Sequence, residues 1–166
     1  MPPLEPQARR PQPIEQSTDF ERVLRTRSRA QTQHFAVHYL PDRPSLSARA
    51  RRAAVSRRLS TGDAPEPVKP VDDLPPEFWI GAVVPKRHAR RAVTRSLLKR
   101  QIRSAFERHS DTLAGGLWVV RLRSSFDKAR FPSAASDALK RTARDELETL
   151  FAAAAHAPTR PLAPGV

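Results

Sequence analysis

One stretch of this chain carries the residues whose types and spacing point most clearly to chemistry. Between Lys86 and Arg108 the sequence holds nine Lys and Arg residues and a single acid. Arg95, Lys99 and Arg103 follow one another at intervals of four residues, which on a helix places them in one row, about 6 Å apart along the axis. Like charges at this spacing disfavour each other by roughly a few tenths of a kcal/mol per pair. We interpret the row as a face that binds nucleic-acid phosphates, the alternative being a solvated basic face.

The charge of the whole chain favours the same interpretation. The 166 residues carry a formal net charge of +13 and have a sequence pI of about 11.5. Arg is much more frequent than Lys, and its planar guanidinium binds phosphate oxygens in bidentate fashion and stacks on bases. A large positive net charge that is supplied mainly by Arg indicates a nucleic acid rather than a membrane as the partner. The side chains that we assign to this contact are Lys86, Arg87, Arg90, Arg91, Arg95, Lys99, Arg100 and Arg103.

No other set of residues forms a pattern typical of catalysis or metal binding. His34 and His38 lie four residues apart on a predicted strand, which separates them by about 13 Å, too far to share a metal ion. Gly115 and Gly116 are not followed by the Lys-Ser or Lys-Thr pair of a phosphate-binding loop. The chain has no cysteine, which excludes disulfides and Cys-ligated zinc. We therefore predict neither catalytic residues nor a metal site in the protein.

The seventeen prolines divide the chain into ordered and disordered parts. They cluster near both ends and in the middle, where they limit helix and sheet formation. We expect disordered tails at residues 1–15 and 156–166, and one domain over residues 16–155 with a Pro- and Arg-rich insert at residues 41–77. The sequence shows neither an apolar run of membrane-spanning length nor a secretory signal. These features predict a cytoplasmic protein.

Hydrophobic periodicity predicts a small α+β domain with helices packed on a short mixed sheet, in the order α-β-β-α-β-α. The predicted strands are residues 33–40, 78–84 and 117–122. The first predicted helix begins at a cap on Ser17 or Thr18, the second covers residues 90–109, and the third begins at a cap on Ser133. In the first strand Phe35, Val37 and Tyr39 point to one face. The opposite face is less polar than an exposed face should be, which indicates that something covers it or binds to it.

The basic helix resembles the signature helix of the bacterial ribonuclease P protein subunit. The sequence AVTRSLLKRQIRSAF follows a strand that ends in the basic pair Lys86-Arg87, as it does in that family. The segments STDFERVLRTR, HFAVHYL and GGLWVVRLRS are similar to the family's first helix, first strand and later strand. In two positions the chain departs from the signature, because Ser96 replaces its Asn and Leu97 replaces its second Arg.

This resemblance implies a fold with a left-handed βαβ crossover and a role in tRNA processing. In the family, a catalytic RNA removes the 5′ leader of precursor tRNA with Mg²⁺ that is held mainly by the RNA. The protein binds that RNA through its signature helix, is expected to be a monomer within the complex, and is inactive alone. A cleft between the first helix and the sheet receives the single-stranded leader, and it corresponds here to Phe20, Leu24, Ala36 and His38.

Two other functions are compatible with the sequence. A basic ribosomal protein, or another structural RNA-binding protein, would carry the same charge and the same lack of catalytic residues. A DNA-binding domain is disfavoured, because no short helix precedes residues 90–109 as a helix-turn-helix motif requires. The RNA that copurifies with the protein distinguishes the first alternative from ribonuclease P.

Overall fold

A five-stranded mixed sheet with helices on both faces organises the chain in the computed structural model, which describes residues 10–45, 49, 52–53, 55–56 and 77–156. The strands are β1 (Gln12–Pro13), β2 (Ala30–Gln31), β3 (Phe35–Leu40), β4 (Phe78–Val83) and β5 (Gly116–Leu122). Three helices of the described part bear on the site: α1 (Ser17–Leu24), α2 (Ala92–His109) and α3 (Asp137–His156). The predicted α+β class and the order of the main elements are confirmed, and β1 and β2 are short additions to the predicted sheet.

Strand β5 lies at the centre of the sheet, whose order is β1-β4-β5-β3-β2. It pairs parallel with β4 and antiparallel with β3. Strand β5 is buried along almost its whole length, as expected for a central strand that is covered on both faces. The register places Gly81, Val119 and His38 side by side in one row of the sheet.

Helix α2 joins β4 to β5 in a left-handed crossover. The Ile80 carbonyl accepts a hydrogen bond from the Ile14 N–H at 3.2 Å, so the backbone polar groups of Ile80 point towards β1 and away from β5. The Ile80 side chain packs in the same core as Leu98 and Ile102 of α2. We view β4 with its chain running upwards and the Ile80 side chain pointing at the viewer. In this view the N–H and C=O groups of an L-residue point to the right, so β1 lies to the right of β4 and β5 lies to the left. Helix α2 lies in front of the sheet in this view, and the chain passes from β4 to β5 on its left. This arrangement is a left-handed crossover, which confirms what the resemblance implied and differs from the usual right-handed preference.

The alternation of side chains along the strands divides the interior into two cores. The larger core lies between the sheet and helices α2 and α3, and includes Phe35, Val37 and Tyr39 as predicted. The smaller core lies under α1, where Val23 packs with Leu117 and Val119. The predicted apolar stripes of the two long helices are confirmed as buried, namely Leu98, Ile102, Ala105 and Phe106 on α2 and Leu139, Ala143, Leu147, Leu150 and Phe151 on α3.

The predicted helix caps were wrong. The residue before α1 is Gln16, and no side chain caps this helix. On α3 the cap is Ser136, whose hydroxyl accepts from the Leu139 N–H at 3.1 Å, rather than Ser133. Both predictions rested on local sequence, in which several Ser and Thr residues compete for the same role.

Asp19, in the first turn of α1, holds the start of the predicted insert instead of capping the helix. Its carboxylate is buried and accepts hydrogen bonds from the Ser45 N–H at 3.0 Å and from Arg22 Nη1 at 2.9 Å. Burial alone would raise the pKa of Asp19, but the hydrogen bonds from Ser45 and Arg22 outweigh it and keep the pKa below its ordinary value. Residues 41–45 are therefore attached to α1.

The N-terminal boundary of the domain was also wrong. Gln12 and Pro13 pair with Trp79 and Ile80 of β4, and Ile14 is buried in the smaller core, so residues 12–14 belong to the fold rather than to a tail. The predictions for residues 1–9, for most of the insert and for residues 157–166 lie outside the described residues. Over the described part of the chain, no helix is long and apolar enough to span a membrane.

Candidate RNA interface

Helix α2 presents the predicted basic row on its outer side. The helix begins at Ala92, two residues later than predicted, and buries Leu98, Ile102 and Phe106 against the sheet and α3. Because these side chains take the inner face, Lys99, Arg100 and Arg103 are exposed. No acidic side chain of the described residues forms an ion pair with these three cations. The row is therefore an uncompensated cationic surface.

Arg95 differs from the rest of the row because its guanidinium is partly engaged within the protein. Its Nη1 donates to the carbonyl oxygens of Ala89 at 3.0 Å and Arg90 at 2.8 Å. These bonds attach the loop before α2 to the first turn of the helix. Arg95 thus positions Arg90 and Arg91, which are both exposed.

The two ends of α2 have different electrostatic surroundings. At the N-terminal end no side chain caps the helix and the first turn holds no acid, so the positive end of the helix dipole adds to the basic side chains. At the C-terminal end Arg108 and His109 both contact Glu148 of α3. Burial would raise the pKa of Glu148, but hydrogen bonds from His109 and Arg108 outweigh it and lower the pKa. The positive charge that has no acidic partner among the described residues therefore extends from the N-terminal end of the helix to Arg103.

The two positions that depart from the family signature differ in exposure. Leu97 is buried in the larger core, so its side chain stabilises the helix rather than reaching outwards. Ser96 is exposed and keeps a hydroxyl at the surface. Val93, one turn before Leu97, is a large apolar side chain that is exposed.

The side chains predicted for the leader cleft come together on the α1 face of the sheet. Phe20 is half-buried and lies over Gly81 of β4, where only a glycine leaves room for its ring. Leu24 packs at the edge of the smaller core. Ala36 has no exposed surface, so it lies beneath the cleft and not on its wall. Phe20 and Leu24 are thus the accessible members of the predicted group.

His38 is held beneath the end of α1. Its Nδ1 donates to the Thr26 carbonyl at 2.9 Å, because a carbonyl oxygen only accepts, and this fixes Nε2 as the unprotonated nitrogen of the neutral ring. Nε2 is buried and has no hydrogen-bond partner among the described residues. Burial lowers the pKa of His38, the bond to Thr26 opposes that change, and the charge of Arg121 lowers the pKa further. His38 is therefore a neutral side chain with one unused acceptor.

Arg121 is a site residue that the sequence analysis missed. It lies on β5 opposite Ala36 of β3 and Val83 of β4, on the α1 face of the sheet. Its side chain is half-buried, and its Nε is a buried donor without a partner in the part of the chain that the structure describes. The sequence contained a sign of this position, because side chains alternate between the two faces of a strand. In the segment LWVVRL, Arg121 therefore points to the same face as Leu117 and Val119. A cation inside a buried strand needs a partner, and none of the described residues provides one for Nε.

The loop after β4 connects the two faces of the sheet. Val83, the last residue of β4, lies beside Arg121 on the α1 face, and Lys86 and Arg87 are exposed in the loop that leads to α2. The loop therefore places two cations between the α1 face and the helix that carries the basic row. Among the described residues, no cluster of His, Asp or Glu side chains is arranged to hold a metal ion.

Comparison with known proteins assigns this chain to a family. The sequence model of the family Ribonuclease P matches residues 9–146. The chain belongs to the ribonuclease P protein family. As a ribonuclease P protein it is a subunit of an endoribonuclease whose catalysis is carried out by RNA, and an RNA subunit is its partner. The ribosomal and DNA-binding alternatives are therefore set aside.

Individual relatives agree with this assignment. The Ribonuclease P protein component of Bordetella parapertussis is 41% identical over 113 residues, which cover 66% of this chain and 85% of that protein. The protein of the same name from Paraburkholderia xenovorans is 40% identical over 88 residues, 53% of this chain and 63% of that protein. The solved structure of the Staphylococcus aureus RNase P protein is 19% identical and has a TM-score of 0.50, covering 84% of this chain and 92% of that chain. This last likeness concerns the fold of ribonuclease P proteins.

Proposed function

We propose that this ribonuclease P protein binds its catalytic RNA through the basic face of α2 and holds the 5′ leader of precursor tRNA on the α1 face of the sheet. The observation that carries the first part is the exposed row of Lys99, Arg100 and Arg103 without acidic partners among the described residues. Each phosphate contact made by such a row releases condensed counterions, which favours binding most at low salt.

The leader contact is supported by three side chains of different chemistry. Phe20 supplies an aromatic surface on which an unpaired base stacks, a contact worth about 1–3 kcal/mol per base. Arg121 is half-buried and adds a positive charge for a phosphate, and His38 lies in the floor of the same face with its unpaired acceptor buried. Single-stranded RNA is held by this combination of stacking and positive charge. Lys86 and Arg87, in the loop between the two surfaces, allow one RNA-binding surface to continue into the other.

The remaining parts of the proposal concern the assembled enzyme. The protein acts as a monomer in the complex, in the cytoplasm, and its substrate is precursor tRNA. The Mg²⁺ that takes part in hydrolysis of the leader is held mainly by the RNA. The protein contributes by fixing the position of the leader and by screening the repulsion between two polyanions.

The experiment is a reconstitution with purified components. RNA-free protein, the ribonuclease P RNA from the same genome, and the two together are incubated with labelled precursor tRNA and Mg²⁺ at near-physiological salt. We expect 5′ leader removal by the mixture, with a higher kcat/KM than for RNA alone, and no cleavage by the protein alone. Cleavage by RNA-free protein, or a mixture no better than RNA alone, would contradict the proposal.

A further inference from the structure

A cavity of about 410 Å³ lies beside the N-terminal end of α2 and has no role in the function proposed above. One wall is the loop between β4 and α2, with His88, Arg90 and Arg91. The other wall is the connection from β5 to α3, with Phe126 and Phe131. Its volume is within the range of roughly 300–1,000 Å³ that is typical of small-molecule sites.

The walls combine an aromatic interior with a cationic rim. Phe126 and Phe131 are half-buried and meet edge to face, with ring centroids 5.7 Å apart. Arg90, Arg91 and Lys128 are exposed at the rim, and no acidic side chain of the described residues lines the cavity. A flat apolar ligand that carries negative charge matches this distribution, and a nucleotide has both properties in its base and its phosphate.

Hydrogen bonds and ring contacts hold the two walls in place. The Thr94 hydroxyl of α2 donates to the Ala134 carbonyl at 2.7 Å and joins the walls directly. The Phe131 N–H donates to the Asp127 carbonyl at 2.9 Å, which closes the turn that carries Phe131. Behind Phe126 the ring of His34 stacks at 4.0 Å between centroids. Because the cavity is formed before any ligand enters, binding costs little ordering entropy.

We propose that this cavity binds one unpaired nucleotide of the RNA subunit, with the base against Phe131 and Phe126 and the phosphate between Lys128 and Arg90 or Arg91. The inference rests on the proposed function, because it needs an RNA bound to the basic face. RNA is favoured over a free nucleotide because Arg90 and Arg91 line the cavity and also begin the basic run that continues along α2. A bound RNA strand thereby reaches the cavity through adjacent cations.

The test measures binding of the RNA subunit by the full chain and by five variants, of which Lys99→Ala removes a cation from the basic row of α2. Phe131→Leu keeps apolar volume but removes the aromatic surface, and Phe131→Tyr keeps that surface. Lys128→Ala removes a rim cation, and Arg144→Ala removes an exposed cation from α3 outside the cavity. We expect Phe131→Leu to weaken binding by about fivefold or more. Lys128→Ala should also weaken it, while Phe131→Tyr and Arg144→Ala should bind as the unchanged chain does.

A second measurement locates the nucleotide. The chain has no cysteine, so Ser133→Cys, at an exposed position that lines the cavity, introduces a single thiol for a photoreactive label. We expect cross-linking of the labelled complex to concentrate at one unpaired position of the RNA, and Phe131→Leu to reduce it. A parallel titration with AMP, followed by amide chemical shifts of residues 126–134, tests the free nucleotide as the occupant.

The outcomes separate this inference from the proposed function. If both Phe131→Leu and Lys128→Ala bind the RNA normally while Lys99→Ala weakens binding, the cavity assignment is wrong and the function stands. If that pattern appears together with AMP binding in the cavity, the occupant is a free nucleotide and the assignment to RNA is overturned. If Lys99→Ala also has no effect, the proposed function itself fails.

Discussion

Phe20 of α1 lies directly over Gly81 of β4, so closely that a Cβ at position 81 would come within 2.3 Å of the Phe20 Cε1 atom. The contact joins the first helix to a strand that follows it only after the insert. It sets the height of α1 above the sheet on the β4 side and leaves the Phe20 ring half-exposed. While the Phe20 ring keeps this position, only a glycine fits at position 81, although the strand has ordinary extended backbone there.

The first prediction follows from this contact. Gly81→Ala should displace the Phe20 ring, because the atoms that clash are the far end of a side chain that can rotate outwards. We expect the thermal midpoint to stay within a few degrees, while the holoenzyme loses affinity for precursor tRNA by about fivefold or more. Binding assays with precursor and mature tRNA measure the effect.

Phe20→Ala is the matched comparison for that variant. It should produce the same selective loss, since mature tRNA has no leader and its binding should barely change. If either variant weakens both ligands equally and lowers the thermal midpoint strongly, Phe20 is a core residue and not a leader contact.

Arg121 gives a prediction in which stability and binding change in opposite directions. Its Nε is buried without a partner in the described structure, and such a group costs about 1–3 kcal/mol. Arg121→Met keeps the length of the side chain and removes that cost. We expect an equal or higher free energy of unfolding in urea, together with weaker binding of precursor tRNA. A variant that is less stable and binds precursor tRNA normally would show that Arg121 has a structural role.

The basic row of α2 should determine the salt dependence of RNA binding. Replacing Lys99 and Arg103 with Ala should lower the slope of log K against log salt by about 0.7–0.9 for each phosphate that the protein no longer neutralises. Both side chains are exposed and lie off the apolar stripe, so the fold should be retained. A chain with Arg144→Ala on α3 serves as the control for the removal of an exposed cation elsewhere. An unchanged slope in a folded double variant would identify the row as a solvated face.

His38 should make the stability of the protein fall in mildly acidic solution. Its folded-state pKa lies below the ordinary value of 6.5, so the unfolded chain takes up the proton first as the pH drops. Over that interval the unfolded state binds more protons, and the free energy of unfolding decreases with decreasing pH. We expect the thermal midpoint to fall between pH 7.5 and pH 5.5, as measured by circular dichroism, about one unit either side of the ordinary pKa.

The His38→Gln variant isolates this contribution, because all other histidines are common to both proteins. Its midpoint should depend less on pH over the same interval. The carboxyl groups of Asp19 and Glu148, whose pKa values are lowered from 3.8 and 4.5, lose their stabilising effect only in more acidic solution. An identical pH dependence of the two proteins would rule out the neutral, buried assignment of His38.

The sequence by itself determined the class of fold and the face of α2 that is exposed. Apolar residues recur every two residues along a half-buried strand and about every 3.6 residues along a half-buried helix. The larger core was therefore predicted from the alternation of Phe35, Val37 and Tyr39 and from the apolar stripe between Leu98 and Phe106. The density of Lys and Arg residues with few acids predicted an exposed cationic face on α2 for a similar reason, since it depends on composition along one element.

Only the tertiary structure decided which side chains complete each surface. Arg121 faces Ala36 and Val83 through strand pairing, and Phe20 meets Gly81 across the insert. Residues 12–14 looked like part of a tail because two or three residues have no periodicity, and their place in the sheet depends on the edge that β4 offers. Contacts between distant segments depend on register, crossover hand and the space left by neighbours, and none of these is a property of local sequence.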